Sequence, residues 1–141
     1  MQINDGRNAA VDATLSRMAA AWDAGNARAF AAEFTEDASY VIFAGIVCLG
    51  RVEIEKAHVP VFEKWQKGSR MSMSELHRHI SADAVIVVTE GGIGKGRRVR
   101  HDKVQTFVFV DDAGAWRCAA FQNTKKNGLF VRVNARAMAS R

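Results

Sequence analysis

The spacing of apolar residues changes period about one third of the way along the chain. Val11, Leu15, Met18 and Trp22 recur at helical spacing and predict a helix from about Arg7 to Ala24 with one apolar stripe. Gly25 stops it, and Asn26 is placed to cap a second, short helix carrying Phe30, Ala31 and Phe34 on one face. Ala38 to Phe43 reads as a strand, Ala44-Gly45 as a turn, and Ile46 to Leu49 as a short returning strand. Gly50 opens a third helix whose inner face is Ile54, Ala57, His58, Val61, Phe62 and Trp65. Pro60 falls inside that stretch. It has no amide hydrogen and its ring clashes with the carbonyl of Lys56, so a kink is expected there.

Beyond Ser69 the period is two. Four strands are predicted, at about Arg70 to Ser81, Ala84 to Gly91, Lys103 to Val110 and Ala115 to Thr124. Their joints are Ala82-Asp83, a glycine-rich stretch from Gly91 to Asp102, and Asp111-Asp112-Ala113-Gly114, which has hairpin-turn chemistry. Helices first and an antiparallel meander afterwards make an α+β domain. The long strands are apolar on both parities, with Val104, Thr106, Val108 and Val110 on one and Phe107 and Phe109 on the other. Both faces of the sheet therefore need cover. The helices supply one, and a second subunit is expected to supply the other, giving a homodimer.

Composition narrows the class. With 141 residues, 48% apolar and 25% charged, the chain is one globular domain and not a disordered one. No apolar run approaches the roughly 20 residues of a membrane helix, so no membrane partner is expected. Met1 to Ala10 lacks the charged, apolar, small-residue order of a signal peptide. Cys48 and Cys118, the only cysteines, then read as reduced thiols of a cytoplasmic protein. The net charge of +5 is carried by residues 125–141, where Lys125, Lys126, Arg132, Arg136 and Arg141 stand without an acid. Residues 1–126 are expected as the domain and 127–141 as a basic, partly disordered tail. Clustered aromatics and a reading motif are absent from the tail, so nucleic acid is not expected as a partner.

Trp22 with Ala32 to Thr35, Asp37 to Tyr40, Gly50 to Ile54 with His58 and Phe62, and Trp116 to Thr124 form a recognisable set. Together they resemble the SnoaL-like branch of the nuclear-transport-factor-like superfamily, and within it the SgcJ/EcaC group. The resemblance implies a cone: a strongly curved antiparallel sheet wrapped around three N-terminal helices, with a pocket between them. Members of the superfamily are isomerases, cyclases, hydrolases and plain binding modules, so the fold leaves the chemistry open.

His58 is the sharpest candidate for acid–base work, a lone imidazole in the middle of an apolar helical face. Tyr40, the only tyrosine, is placed to donate to a developing oxyanion. Trp22, Phe34, Phe62, Trp65 and Phe107 are expected to wall a pocket for a flat organic molecule. Gln122 and Asn123 are both ligand candidates. As neighbours they point to opposite faces, and Gln122 is favoured for the pocket, with Phe121 and Asn123 toward a dimer interface.

Other constellations fall short. Glu75, His77 and His79 share one parity at metal-ligand spacing, but they alternate with Leu76 and Ile80, expected in the core, and no fourth ligand is identifiable. No metal is expected. Gly91 to Gly96 fails as a phosphate loop, because Gly96 stands where Ser or Thr should follow Lys95 and a strand follows. No dinucleotide motif opens a helix, and no cofactor is expected. Asp83, Asp102, Asp111 and Asp112 fall in turns and Asp23 and Asp37 at element ends, so a carboxylate on a pocket strand beside Tyr40 is missing. The expected function is a pocket for a largely apolar organic ligand, with cofactor-free acid–base chemistry at His58. The alternatives are a binding or sequestering dimer without turnover, and an interaction module using the basic tail.

Overall fold

The computed structural model describes residues 2–139, with side chains from residue 6 onward. Helix α1 spans Gln2–Asp23 and buries Val11, Met18 and Trp22, the stripe read from the sequence. It starts earlier than Arg7, with Gly6 tolerated inside it and no Pro to stop it. Gly25, at φ 64°, ends the turn. Asn26 then caps α2 (Ala27–Ala32), its Oδ1 accepting from the Ala29 amide at 3.0 Å.

Strands β1 (Phe34–Val41) and β2 (Val47–Leu49) form a hairpin. Helix α3 covers Arg51–Pro60, and residues Val61–Trp65 continue it as a π-turn. The change of ladder falls at Pro60, where the missing amide cannot bond back to Lys56. The meander follows: β3 (Arg70–Ile80), β4 (Ala84–Gly94), β5 (Lys103–Asp112) and β6 (Ala115–Lys125). Ala113 and Gly114, both at positive φ, make the tight turn between β5 and β6, and Asp111 accepts from the Gly114 amide at 2.8 Å.

One sheet holds all six strands in the order β2-β1-β6-β5-β4-β3. Every pair is antiparallel except β1 with β6, which run parallel. The architecture is the α+β cone, with the sheet mixed and open and α1, α2 and α3 packed on its inner face.

That face carries Val85, Val87, Phe107, Phe109, Cys118 and Phe121, all buried against Met18, Phe30, Phe34 and Ile54. Thr14, fully buried on α1, ties the layers by donating from Oγ1 to the Trp116 carbonyl at 2.5 Å.

Two bulges correct the parity expectations. In β6, Phe109 pairs Cys118 while Val108 pairs Ala120, so Ala119 is an extra residue. Cys118 faces inward, Phe121 and Asn123 follow it inward, and Gln122 is exposed. In β3, Glu75 pairs Thr89 and His77 pairs Val88, so the extra residue is Leu76. Glu75 is thereby turned to the helix side, where it pairs with Arg78 at 2.7 Å, away from His77 and His79. Leu76 is exposed and not in the core. Among the described residues no group of His, Cys, Asp and Glu could hold a metal ion.

The segment read as a basic tail forms helix α4 (Gly128–Ala139) on which no residue is buried; Ser140 and Arg141 lie outside the described residues. No helix among those described is long and apolar enough to cross a membrane.

Phe30 is the centre of the aromatic packing, touching Trp22, Phe34, Tyr40, His58 and Phe62. Phe30→Ala is expected to lower the unfolding free energy by about 3–5 kcal/mol, read from urea denaturation.

Candidate functional site

Between α3, its π-turn and the inner face of the sheet lies a cavity of about 490 Å³. That size falls in the roughly 300–1,000 Å³ range of small-molecule sites. Trp22, Ile42, Val61, Met71, Ile93 and Phe121 make its walls. Phe43 and Ile46 on the β1–β2 turn and Trp65 on the π-turn are apolar residues left largely exposed, and they line the mouth.

The polar centre is a pair from two elements. His58 sits on α3 four residues after Ile54, and its Nδ1 lies 2.7 Å from the Ile54 carbonyl. A carbonyl only accepts, so Nδ1 carries the proton and Nε2 is left as the acceptor. Tyr40, brought inward by β1, donates its hydroxyl to Nε2 at 3.1 Å. Trp22, Phe30 and Phe62 surround the ring at centroid distances of 5.7, 4.7 and 5.8 Å. The Trp22 indole donates to Ser69 Oγ at 2.9 Å, which fixes the wall against the start of β3.

Burial governs the ionisation of the pair. Desolvation lowers the His58 pKa, against the opposing effect of the Ile54 hydrogen bond. The Tyr40 hydroxyl is pushed far up by desolvation, with the neighbouring Cys48 and Cys118 adding to the rise. Both groups are neutral near pH 7. Cys48 also lines the cavity, and burial first, then Glu53, raises its thiol above the ordinary value. Cys118, deep in the core, is pushed up to about 12 by burial. Both cysteines are free.

His58, Tyr40, Trp22, Trp65 and Asn123 stand together on the cavity wall. Phe34, Phe62 and Phe107 do not; they fill the core around it. Gln122 points away from the cavity, displaced by the bulge at Ala119. Asp37 lies within β1, exposed and bonded to Thr35, not at an element end. No Asp or Glu is among the lining residues.

The sequence reading passed over Gln105 and the turn residues Phe43 and Ile46. Gln105 had a signal: it is the polar member of the inward parity that Phe107 and Phe109 share. Its side-chain oxygen accepts from the Thr89 hydroxyl at 2.7 Å. Asn123 Oδ1 accepts from the Phe43 amide at 2.8 Å and so ties the mouth to β6. Lys103 and Lys125 set their ammonium groups 5.4 and 5.9 Å from the centre of the Phe43 ring. Lys103 also pairs with Asp102 at 2.9 Å.

The lowered His58 pKa fixes the sign of a pH effect. The unfolded chain takes up this proton near 6.5 and the folded one only at lower pH. The contribution is complete above about 6.5 and is lost as pH falls toward the folded value. Urea midpoints at pH 7.5 and 5.5 are expected to fall more steeply on acidification for the unaltered protein than for His58→Asn.

The comparisons agree with this geometry. A domain of unknown function with a cystatin-like fold from Nostoc punctiforme superposes with a TM-score of 0.78 at 22% identity, covering 95% of this chain and 86% of that one. An uncharacterized cystatin-like protein from Caulobacter vibrioides gives 0.79 at 22% identity, covering 93% and 97%. An NTF2-like protein from Novosphingobium aromaticivorans gives 0.75 at 15%, covering 90% and 86%. These likenesses establish the fold alone. No curated protein matches the chain. The model of the SnoaL-like domain matches residues 11–122, from the stripe of α1 to the last strand of the cavity, and the chain belongs to that family.

Proposed function

We propose that the protein binds a largely apolar organic molecule in the cavity, with the Tyr40–His58 pair as its polar anchor. One observation carries this reading: a preformed, mostly apolar chamber contains a neutral hydrogen-bonded pair and no carboxylate. Such a lining favours a flat, largely apolar guest and gives it one place to orient. Binding without turnover is the simpler form of the reading. His58 has its Nδ1 hydrogen committed to Ile54, and desolvation makes Nε2 a weaker base than a free imidazole.

Acid–base turnover is the second reading, and the Tyr40–His58 contact supports it. A proton taken up by Tyr40 Oη from a guest would move on as the tyrosine's own hydrogen passes to His58 Nε2, 3.1 Å away. Two finer readings accompany the proposal. The segment Trp116 to Thr124 supports a place near the SgcJ/EcaC group. The half-buried outer face of Ile86, Val88, Val104, Val108 and Val110 supports a homodimer through the sheet.

A thermal-shift panel of bicyclic and tricyclic aromatics, neutral compounds and carboxylates both included, tests the main reading. At 100-fold excess over Kd a guest stabilises the native state by about 2.7 kcal/mol. That corresponds to a Tm rise of roughly 5 °C or more. Ala57→Trp fills the chamber and is expected to abolish the rise while the protein stays folded. No rise with any compound, or an equal rise in Ala57→Trp, would overturn the reading. Chromatography of the incubated hits for a new product separates turnover from binding.

A further inference from the structure

We infer that the guest carries an acceptor-only oxygen, a ketone carbonyl or a carboxylate, held between the side-chain amides of Gln105 and Asn123. The inference rests on the cavity being a small-molecule site and names the chemical class it takes.

Gln105 and Asn123 are register partners on β5 and β6 and both line the cavity. Side chains directly opposed across a strand pair start about 4.5–5.5 Å apart at Cβ, close enough for one oxygen atom to meet both. Each amide has its acceptor end already engaged. The Phe43 amide can only donate, so the atom of Asn123 that it meets, 2.8 Å away, is the oxygen. The buried Thr89 hydroxyl donates to Gln105 Oε1 at 2.7 Å. What each side chain has left is its NH₂ group, and none of the described hydrogen bonds uses either nitrogen. Two donors on one wall select a guest atom that only accepts. A hydroxyl or amine could also accept there, but its own hydrogen would then need a partner.

The backbone is shaped to allow this. A Cβ on Gly91 would lie 2.7 Å from Gln105 Oε1 and 2.5 Å from the Ser72 carbonyl, so only glycine leaves room for the amide in that position. Two register positions toward the mouth, on the same face, stand Lys103 and Lys125, again partners. Lys103 is paired with Asp102, and the Lys125 ammonium, held at the Phe43 ring, adds attraction for a carboxylate. Two positions inward are Phe107 and Phe121, the apolar end of the same face. The β5–β6 pair thus runs from apolar through two amides to cationic.

The test uses the full chain and three matched probes: 2-ethylnaphthalene, 2-acetylnaphthalene and 2-naphthoate. Binding is followed by the side-chain NH₂ signals in ¹H–¹⁵N correlation spectra. The ketone or the carboxylate is expected to bind at least about tenfold tighter than the hydrocarbon and to shift the Gln105 and Asn123 NH₂ signals. In Thr89→Val/Gln105→Met, which removes both members of that hydrogen bond together, the advantage is expected to shrink while the hydrocarbon still binds. Preference for naphthoate that weakens in Lys125→Ala assigns a carboxylate, and preference for the ketone that Lys125→Ala leaves unchanged assigns a carbonyl. Equal binding of all three probes, or an advantage that survives in the double variant, overturns the inference and leaves the cavity reading standing. No binding of any probe, with the protein folded, overturns both.

Discussion

A strand assigns its residues to the two faces of a sheet by parity, so one inserted residue decides what a face is made of. Ala119 is that residue here. Before it, Cys118 points inward and closes the core against Phe34 and Phe109. After it, Phe121 and Asn123 point inward, and the cavity acquires an aromatic floor and an amide. Without the insertion, Gln122 would face the chamber and Phe121 would face outward. The stacking of Tyr40 on Phe121, at 4.8 Å between ring centroids, depends on this phase, and through Tyr40 so does the hydroxyl that meets His58.

The imidazole shows why the centre is stable although it is polar and buried. A buried ring nitrogen without a partner is costly, and both nitrogens of His58 have one: the Ile54 carbonyl, which can only accept, and the Tyr40 hydroxyl. The Ile54 carbonyl lies one helical turn earlier on the same helix, so α3 itself sets the tautomer. The second partner comes from the sheet. The hydrogen bond therefore joins the two layers of the cone at the place where they separate to leave the chamber.

Much of this was legible in the sequence, and the rest was lost for physical reasons. Periodicity placed α1, the capped α2, the helix bearing His58 and the meander, because each rests on local spacing and on Gly25, Asn26 and Gly114. His58 stood out as a lone imidazole on an apolar helical face and Tyr40 as the only tyrosine, and the structure brings them into contact. The aromatic residues were harder. Phe34, Phe62 and Phe107 are as apolar as Trp22 and Trp65, and only the curvature of the sheet separates filled core from open chamber. The two bulges were invisible, since neither Leu76 nor Ala119 differs in type from an ordinary strand residue. Leu76 removed Glu75 from the face of His77 and His79, and Ala119 exchanged Gln122 for Asn123.

The protonated state of Cys48 has a consequence for what the chamber can safely contain. It is the only cysteine on the cavity wall, and burial with the nearby Glu53 keeps its sulfur in the thiol form at neutral pH. A thiol is a poor nucleophile beside its thiolate. Of the other wall groups, His58 has its Nε2 occupied by the Tyr40 hydroxyl and Lys103 is paired with Asp102; the rest are aromatic, aliphatic or amide. An electrophilic guest, such as an enone or a quinone, would meet no strong nucleophile there. On the proposed binding reading, a reactive molecule could leave the chamber unaltered.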